Sequence, residues 1–456
     1  MKHILSQLRP VLPFLTQRAT ALAALSGAVA LNALAASAGP VPERDWPQWR
    51  GPLANGVAPG ARPPTEWSET RNVKWKVRIP GSGTSTPILW EDQVFILTAV
   101  PSGPPPEGAR APSGGGRGQV EEPTETHAFM VVSYDRNTGR ERWKSVARTE
   151  FPHESHHRDH GYASFSPITD GESLYVFLGS RGLHAYDLEG HRRWERDLGR
   201  MQTRNGFGEG SSPALWGEVL VVNWDHEGDD FIAAFNKRTG EELWRRPRSE
   251  PTSWATPLIL EHQGQVQVVV NATERIRSYE LHSGRLIWEA GGMTVNVIPS
   301  PVSGFGKVFA LSGFRGSALR AIRLGQTGDL TGTDAVAWSY DRNTPYVPSP
   351  LLAGERLYFL AGNNATLSIL GARDGRILVD AERLPGLFGA YASPVAADGR
   401  VIVLGRNGTS VVLREGNTLE ILATNVLDDG FDASPAAVGN QLFLRGRQFL
   451  YCLEEG

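Results

Sequence analysis

The chain has 456 residues, 40% hydrophobic and 21% charged, enough to bury one large core or two to three ordinary ones. Its formal net charge of −3 gives no electrostatic case for a nucleic-acid or membrane-surface partner. The 51 glycines and 31 prolines favour many turns, as an all-β chain requires.

Residues 1–38 read as a secretory signal. Lys2, Arg9 and Arg18 supply the positive region, Ala19–Ala35 is apolar, and "ALA" (33–35) or "ASA" (36–38) offers small residues for cleavage. An uncleaved anchor is the alternative, although the apolar run is short for a membrane span. Cleavage predicts a periplasmic or secreted protein with no remaining membrane span. No Cys follows either cut, so lipid attachment is not supported. Cys452 is the only cysteine, which rules out an internal disulfide.

Residues 39–71 contain "WPQWRGP" (Trp46–Pro52) and show no repeat. From residue 72 to 456 a period takes over. A Ser/Thr-Pro anchor followed by an apolar run recurs at Pro87, Pro167, Pro213, Pro257, Pro301, Pro350, Pro394 and Pro435. The steps are 41–49 residues except the first, of 80, which holds a Pro/Gly-rich insertion at 101–126 expected to be flexible. A second signal accompanies the first: a Gly turn, then a strand with Trp. Its clear copies are "YDRNTGRERW" (134–143), "YDLEGHRRW" (186–194), "FNKRTGEELW" (235–244) and "YELHSGRLIW" (279–288). Later copies such as "LGARDGRILV" (370–379) lose the Trp.

One unit, from Ser166, reads strand "SPIT", turn, strand "SLYVFLG", turn, strand "LHAYDL", turn, strand "RWERDL". Four short antiparallel strands every 40–50 residues make a β-propeller blade. Nearly continuous apolar second strands such as "EVLVVN" and "QVQVVV" fit burial between neighbouring blades. Eight anchors therefore predict an all-β, eight-bladed propeller. The eighth unit ends after three strands, and "NVKWKVRI" (72–79), with Trp75 in the Trp position, is expected to complete it and close the ring.

These repeats resemble the pyrroloquinoline-quinone (PQQ) repeat superfamily, whose "D-x-x-T-G-x-x-x-W" core stands here at Asp135–Trp143. "WPQWRGP", "TRNGFGEGSSP" (203–213), "NWDHEGD" (223–229) and "EPTSWATP" (250–257) are similar to segments of secreted PQQ-like repeat proteins of uncharacterised role. The superfamily also holds quinoprotein alcohol dehydrogenases and the assembly lipoprotein BamB. The resemblance covers about 41–456 and implies the propeller; for activity it implies either a binding scaffold or a PQQ- and calcium-dependent oxidoreductase. The single Cys and the lack of a "CxxCH" heme motif depart from the dehydrogenase pattern.

Blade connections and second-to-third-strand turns share one end of a propeller. That end collects Arg181, Arg204, Arg275, Arg315, Arg406, Asp429, Asp432 and the loop "HESHHRDHGYASFSP" (153–167), which carries four of the eleven histidines. His156 and His160 are candidate metal ligands, with His226 and Asp159 as helpers. The other reading is a solvated loop titrating near neutral pH. The arginines either pair with neighbouring aspartates or face inward to bind an anion. Trp254, Arg204, Arg275 and Arg315 are the candidate cofactor residues, and Glu209, Asn223 and Asp225 a candidate calcium set. A Trp beside the axis suits stacking on a flat quinone or packing between blades. His157 or His160 with Asp159 or Glu209 offers acid–base chemistry, without a nucleophile motif. The expected function is an exported scaffold binding a protein, glycan or small anionic ligand through this face, with PQQ and calcium as the alternative.

Overall fold

The computed structural model describes residues 41, 43–109 and 119–456; the signal at 1–38 and the centre of the 101–126 insertion lie outside them. Eight antiparallel blade sheets follow one another along the chain, seven of four strands; the fourth gains a short fifth strand, Gly328–Asp329, paired parallel to Leu286–Ala290. The third blade is representative, with strands Ala214–Trp216, Val219–Trp224, Phe231–Asn236 and Glu242–Pro247 in sequential order. Its second strand is buried at every position, as its apolar run requires.

The eighth sheet closes as expected. Val73–Arg78 pairs antiparallel with Phe449–Glu454, opposing Trp75 to Cys452 and Val77 to Leu450. The first and last parts of the described chain thus share one blade, which closes the ring.

Two sequence signals prove to be the two halves of one joint. The fourth-strand indole of the eighth blade and of each of the first three donates to the last turn of the next. Trp75 reaches Arg136 O at 2.9 Å, Trp143 Leu188 O at 2.8 Å, Trp194 Lys237 O at 2.9 Å and Trp244 Leu281 O at 2.8 Å. Each ring covers the turn glycine of that neighbour. Gly139 has φ +69°, and a Cβ there would lie 2.8 Å from the Trp75 ring; both the left-handed backbone and the close approach require glycine. Asp135 fixes this turn through the N–H groups of Asn137 and Thr138.

The Ser/Thr of each anchor forms a second inter-blade device. The backbone N–H of Thr86 donates to Ser166 Oγ (3.0 Å), Ser166 to Ser212 (2.9 Å), Ser212 to Thr256 (3.0 Å), and Thr256 to Ser300 (2.8 Å). Ser300 continues to Ser349, Ser349 to Ser393 and Ser393 to Ser434. Seven links encircle the axis, and Thr86 Oγ1 is left buried without a partner.

The segment at 46–58 lies along the innermost strands of the ring, next to this axis. Trp46 exchanges backbone hydrogen bonds with Leu89 of the first blade, and Gly56 and Ala58 bond Ala396 of the seventh. Arg50 lies between, donating to Pro394 O and Pro350 O at 3.0 Å each; burial lowers its pKa to about 9. The described ends of the insertion include strand. Gln93–Gly103 continues strand into it, and Val120–Glu121 pairs with His156–His157.

Candidate functional site

A cavity of about 180 Å³ opens on the axis, bounded by the blade connections of the loop-rich end. Its walls carry Trp254, Tyr346, Tyr391 and Phe207, and Trp49 of the 46–58 segment also lines it. Hydroxyls come from the anchor ring, at Ser166, Ser212, Thr256, Ser393 and Ser434, joined by Thr84 and Ser164. His157, His160, Asp159 and Asp432 complete the polar lining.

Trp254 is oriented rather than loose. Its indole N–H donates to Gly208 O at 2.7 Å, and its backbone N–H to Val297 O at 2.8 Å. The ring is therefore fixed beside the cavity, with its N–H already satisfied.

The two carboxylates come from the connections on either side of the ring closure, between blades 1 and 2 and between blades 7 and 8, and meet on Arg406. Asp159, from the histidine loop, receives Arg406 Nη2 at 2.9 Å and Tyr391 Oη at 3.1 Å. Asp432 receives Arg406 Nε at 2.6 Å and Arg447 Nε at 2.8 Å. The Arg406 guanidinium also lies 4.0 Å from the Tyr391 ring centroid. Despite partial burial, these partners hold the Asp159 carboxyl below its ordinary range. All four carboxylate oxygens have a donor.

The histidine loop is pinned, which corrects the expectation of a solvated loop titrating near neutral pH. His153 Nε2 contacts Met201 O at 2.8 Å, and His156 Nδ1 contacts His157 O at 2.9 Å. The His156 ring meets Tyr162 edge-on at 4.5 Å. Burial first, then the neighbouring His156 and His157, lowers the His160 pKa to about 3. His160 is thus neutral at physiological pH, and its Nδ1 is buried without a partner. Asp159 serves Arg406, and His226 Nδ1 accepts the backbone N–H groups of Gln202 and Gly228. The proposed His156–His160 metal group is therefore not assembled with these helpers.

The calcium set is also divided. Glu209 accepts Ser180 N (2.7 Å), Ser180 Oγ (2.6 Å) and Arg181 Nη1 (3.0 Å). Asp225 is taken by Arg248, Ser253 and Asn223. Among the described residues, the group with metal-compatible spacing is instead His153, Glu154 and Glu209, within 4.8 Å. The guanidinium of Arg181 on Glu209 opposes a cation there.

Of the arginines, Arg181 is buried between Glu150 and Glu209, and Arg275 pairs with Asp329 and Glu289. Aspartate and glutamate pairing thus prevails over an inward-facing anion site for these two and for Arg406. Arg204 and Arg315 show no ion pair among the described residues, but neither lines the cavity; Arg315 lies against Phe314. Sequence reasoning missed Tyr346, Tyr391 and the 46–58 segment. The anchor hydroxyls were visible, as the residue before each repeated proline.

Glu154 gives the histidine loop a pH response. It accepts Thr203 N at 2.9 Å and Thr203 Oγ1 at 2.7 Å, tying the histidine loop to the chain leading to Phe207. Burial, reinforced by Glu209, pushes its pKa up to about 7. The folded state then retains a proton that the unfolded chain loses near pH 4.5. Stability contributed by this group falls as pH rises from about 4.5 to 7, by up to about 1.4 kcal/mol per pH unit. Urea unfolding at stepped pH should show this slope flattened in Glu154→Gln; an unchanged slope refutes the assignment.

Fold and site together define a PQQ-like eight-bladed propeller with a blind axial pocket at its loop-rich end. The family described as "Outer membrane protein assembly factor BamB" matches residues 65–209 and 127–378. The chain belongs to that family. None of the curated proteins matches it. Among solved structures it is similar to BamB from Moraxella catarrhalis, with 12% identity, TM-score 0.53, and coverage of 83% of this chain and 96% of that one. It is also similar to the quinohemoprotein alcohol dehydrogenase ADHIIG from Pseudomonas putida HK5, with 10% identity, TM-score 0.55, and coverage of 91% and 80%. At these identities the likeness concerns the fold alone.

Proposed function

We propose that the protein is exported and works by binding, with the axial pocket as its small-ligand site and the surrounding loops as a contact surface for protein or glycan. The observation carrying this reading is a shaped pocket whose charges are internally cancelled. Export rests on the composition of residues 1–38. Among the described residues, no helix is long and apolar enough to cross a membrane.

The same pocket argues against PQQ with calcium. That quinone is a tricyclic tricarboxylate, so a site for it needs cationic partners. No Arg or Lys lines the cavity. The two lining carboxylates have all their oxygens engaged, and the candidate calcium ligands serve Arg181 and Arg248. The volume of about 180 Å³ is below the roughly 300–1,000 Å³ of drug-sized sites. Equilibrium dialysis against PQQ, with and without Ca²⁺, should show no saturable calcium-dependent uptake. Micromolar uptake that needs calcium and disappears in Trp254→Ala would restore the oxidoreductase reading.

A further inference from the structure

We propose that the axial pocket takes one uncharged, polyhydroxylated six-membered ring, a pyranose sugar, seated against Trp254 over the crown of anchor hydroxyls. The proposal rests on the axial pocket being the binding site and adds the chemical class of its ligand.

Three features select that class. The first is charge. Asp159 and Asp432 are ion-paired with Arg406 and Arg447, and the Tyr391 hydroxyl donates to Asp159. A charged ligand would lose hydration without meeting a free counter-charge. The second is the hydroxyl crown. Ser166, Ser212, Thr256, Ser393 and Ser434 each accept a backbone N–H from the preceding anchor. Each retains an O–H hydrogen and a lone pair, and each lines the cavity. A ligand rich in hydroxyls can both donate to and accept from such a ring; a quaternary ammonium can use neither function. The third is the fixed indole of Trp254, with Tyr346 and Phe207 on the same lining. These give an apolar platform for the C–H face of a sugar while its edge is hydrogen-bonded. The cavity volume suits a single ring.

Isothermal titration of the purified protein with methyl glucoside, methyl galactoside, methyl mannoside and cellobiose tests the assignment, with choline and acetate as charged comparators. The expected result is millimolar-or-tighter binding of at least one sugar and none of the comparators. Trp254→Ala should weaken that binding about tenfold, the scale of a lost aromatic contact. Tyr346→Ala is the second variant, and thermal unfolding checks that both remain folded. Binding of choline or acetate instead, sensitive to Trp254→Ala, overturns the sugar assignment but leaves the pocket as the site. Sugar binding insensitive to both variants overturns the pocket assignment as well. No binding by any probe overturns the proposal.

Discussion

Arg248→Met should lower stability by about 3–5 kcal/mol, the scale of stranding one member of a buried ion pair. Both Arg248 and Asp225 have no exposed side-chain surface, and Nε lies 2.6 Å from Oδ1. Arg248 Nη2 and Ser253 Oγ donate to Asp225 Oδ2 at 3.1 and 2.5 Å, and Arg248 Nη1 donates to Tyr279 Oη at 2.8 Å. Removing only the guanidinium leaves a carboxylate away from water with a hydroxyl and an amide as its remaining donors. Asp225→Asn combined with Arg248→Met replaces the pair by neutral groups of similar size, and should recover most of the loss. Urea unfolding of the two single variants and the double variant measures the coupling. Equal losses in Arg248→Met and the double variant would show that packing, rather than charge, dominates. Ser253 precedes Trp254, so the single variant should also weaken ligand binding in the axial pocket, and the double variant less so.

The architecture was legible because propeller signals are local or nearly so. A Gly turn and a Trp four residues later recur in the first four blades, and the joint they make involves the next blade only, as Trp194 and Gly240 show. The closing strand was legible for the complementary reason: one blade lacked its Trp strand, and 72–79 was the spare. The loop-rich end followed from strand alternation alone. Charge at the site was less legible. Asp159 and Arg406 are 247 positions apart, and no spacing rule says that a loop between the first two blades will reach the seventh. The arginines therefore looked available for an anion when most are committed. The same limit hid the role of "WPQWRGP". Its Arg50 donates to carbonyls of Pro350 and Pro394, 300 and 344 residues away. A buried charge supported by carbonyls leaves no pattern in sequence. The anchor hydroxyls were seen as punctuation before proline; their second role appears only once the blades form a ring.

Trp75→Ala should be the most damaging single change at the seam, costing about 3–5 kcal/mol for a large buried aromatic. Trp75 is 8% exposed, donates to Arg136 O, covers Gly139 and lies 5.9 Å from the Phe443 ring. It belongs to the strand joining residues 73–78 to the C-terminal strand, while its indole engages the first blade. One side chain therefore links the closing strand to both blades at the seam. An interior joint such as Trp194 is different, because its two blades are also consecutive in the chain. Losing Trp194 loosens a joint whose halves stay tethered; losing Trp75 frees a strand held to its sheet by noncovalent contacts alone. The expected signature is twofold: a lower unfolding midpoint, and protease cleavage within 72–80 under conditions where Trp194→Ala resists there. Trp216, at 37% exposure, supplies the surface control, with an expected change within about 0.5 kcal/mol on replacement by Ala. If Trp75→Ala and Trp194→Ala lose equal stability and show the same cleavage pattern, the seam is no weaker than any other joint. The ring would then be held chiefly by the backbone ladder from Val73 to Arg78.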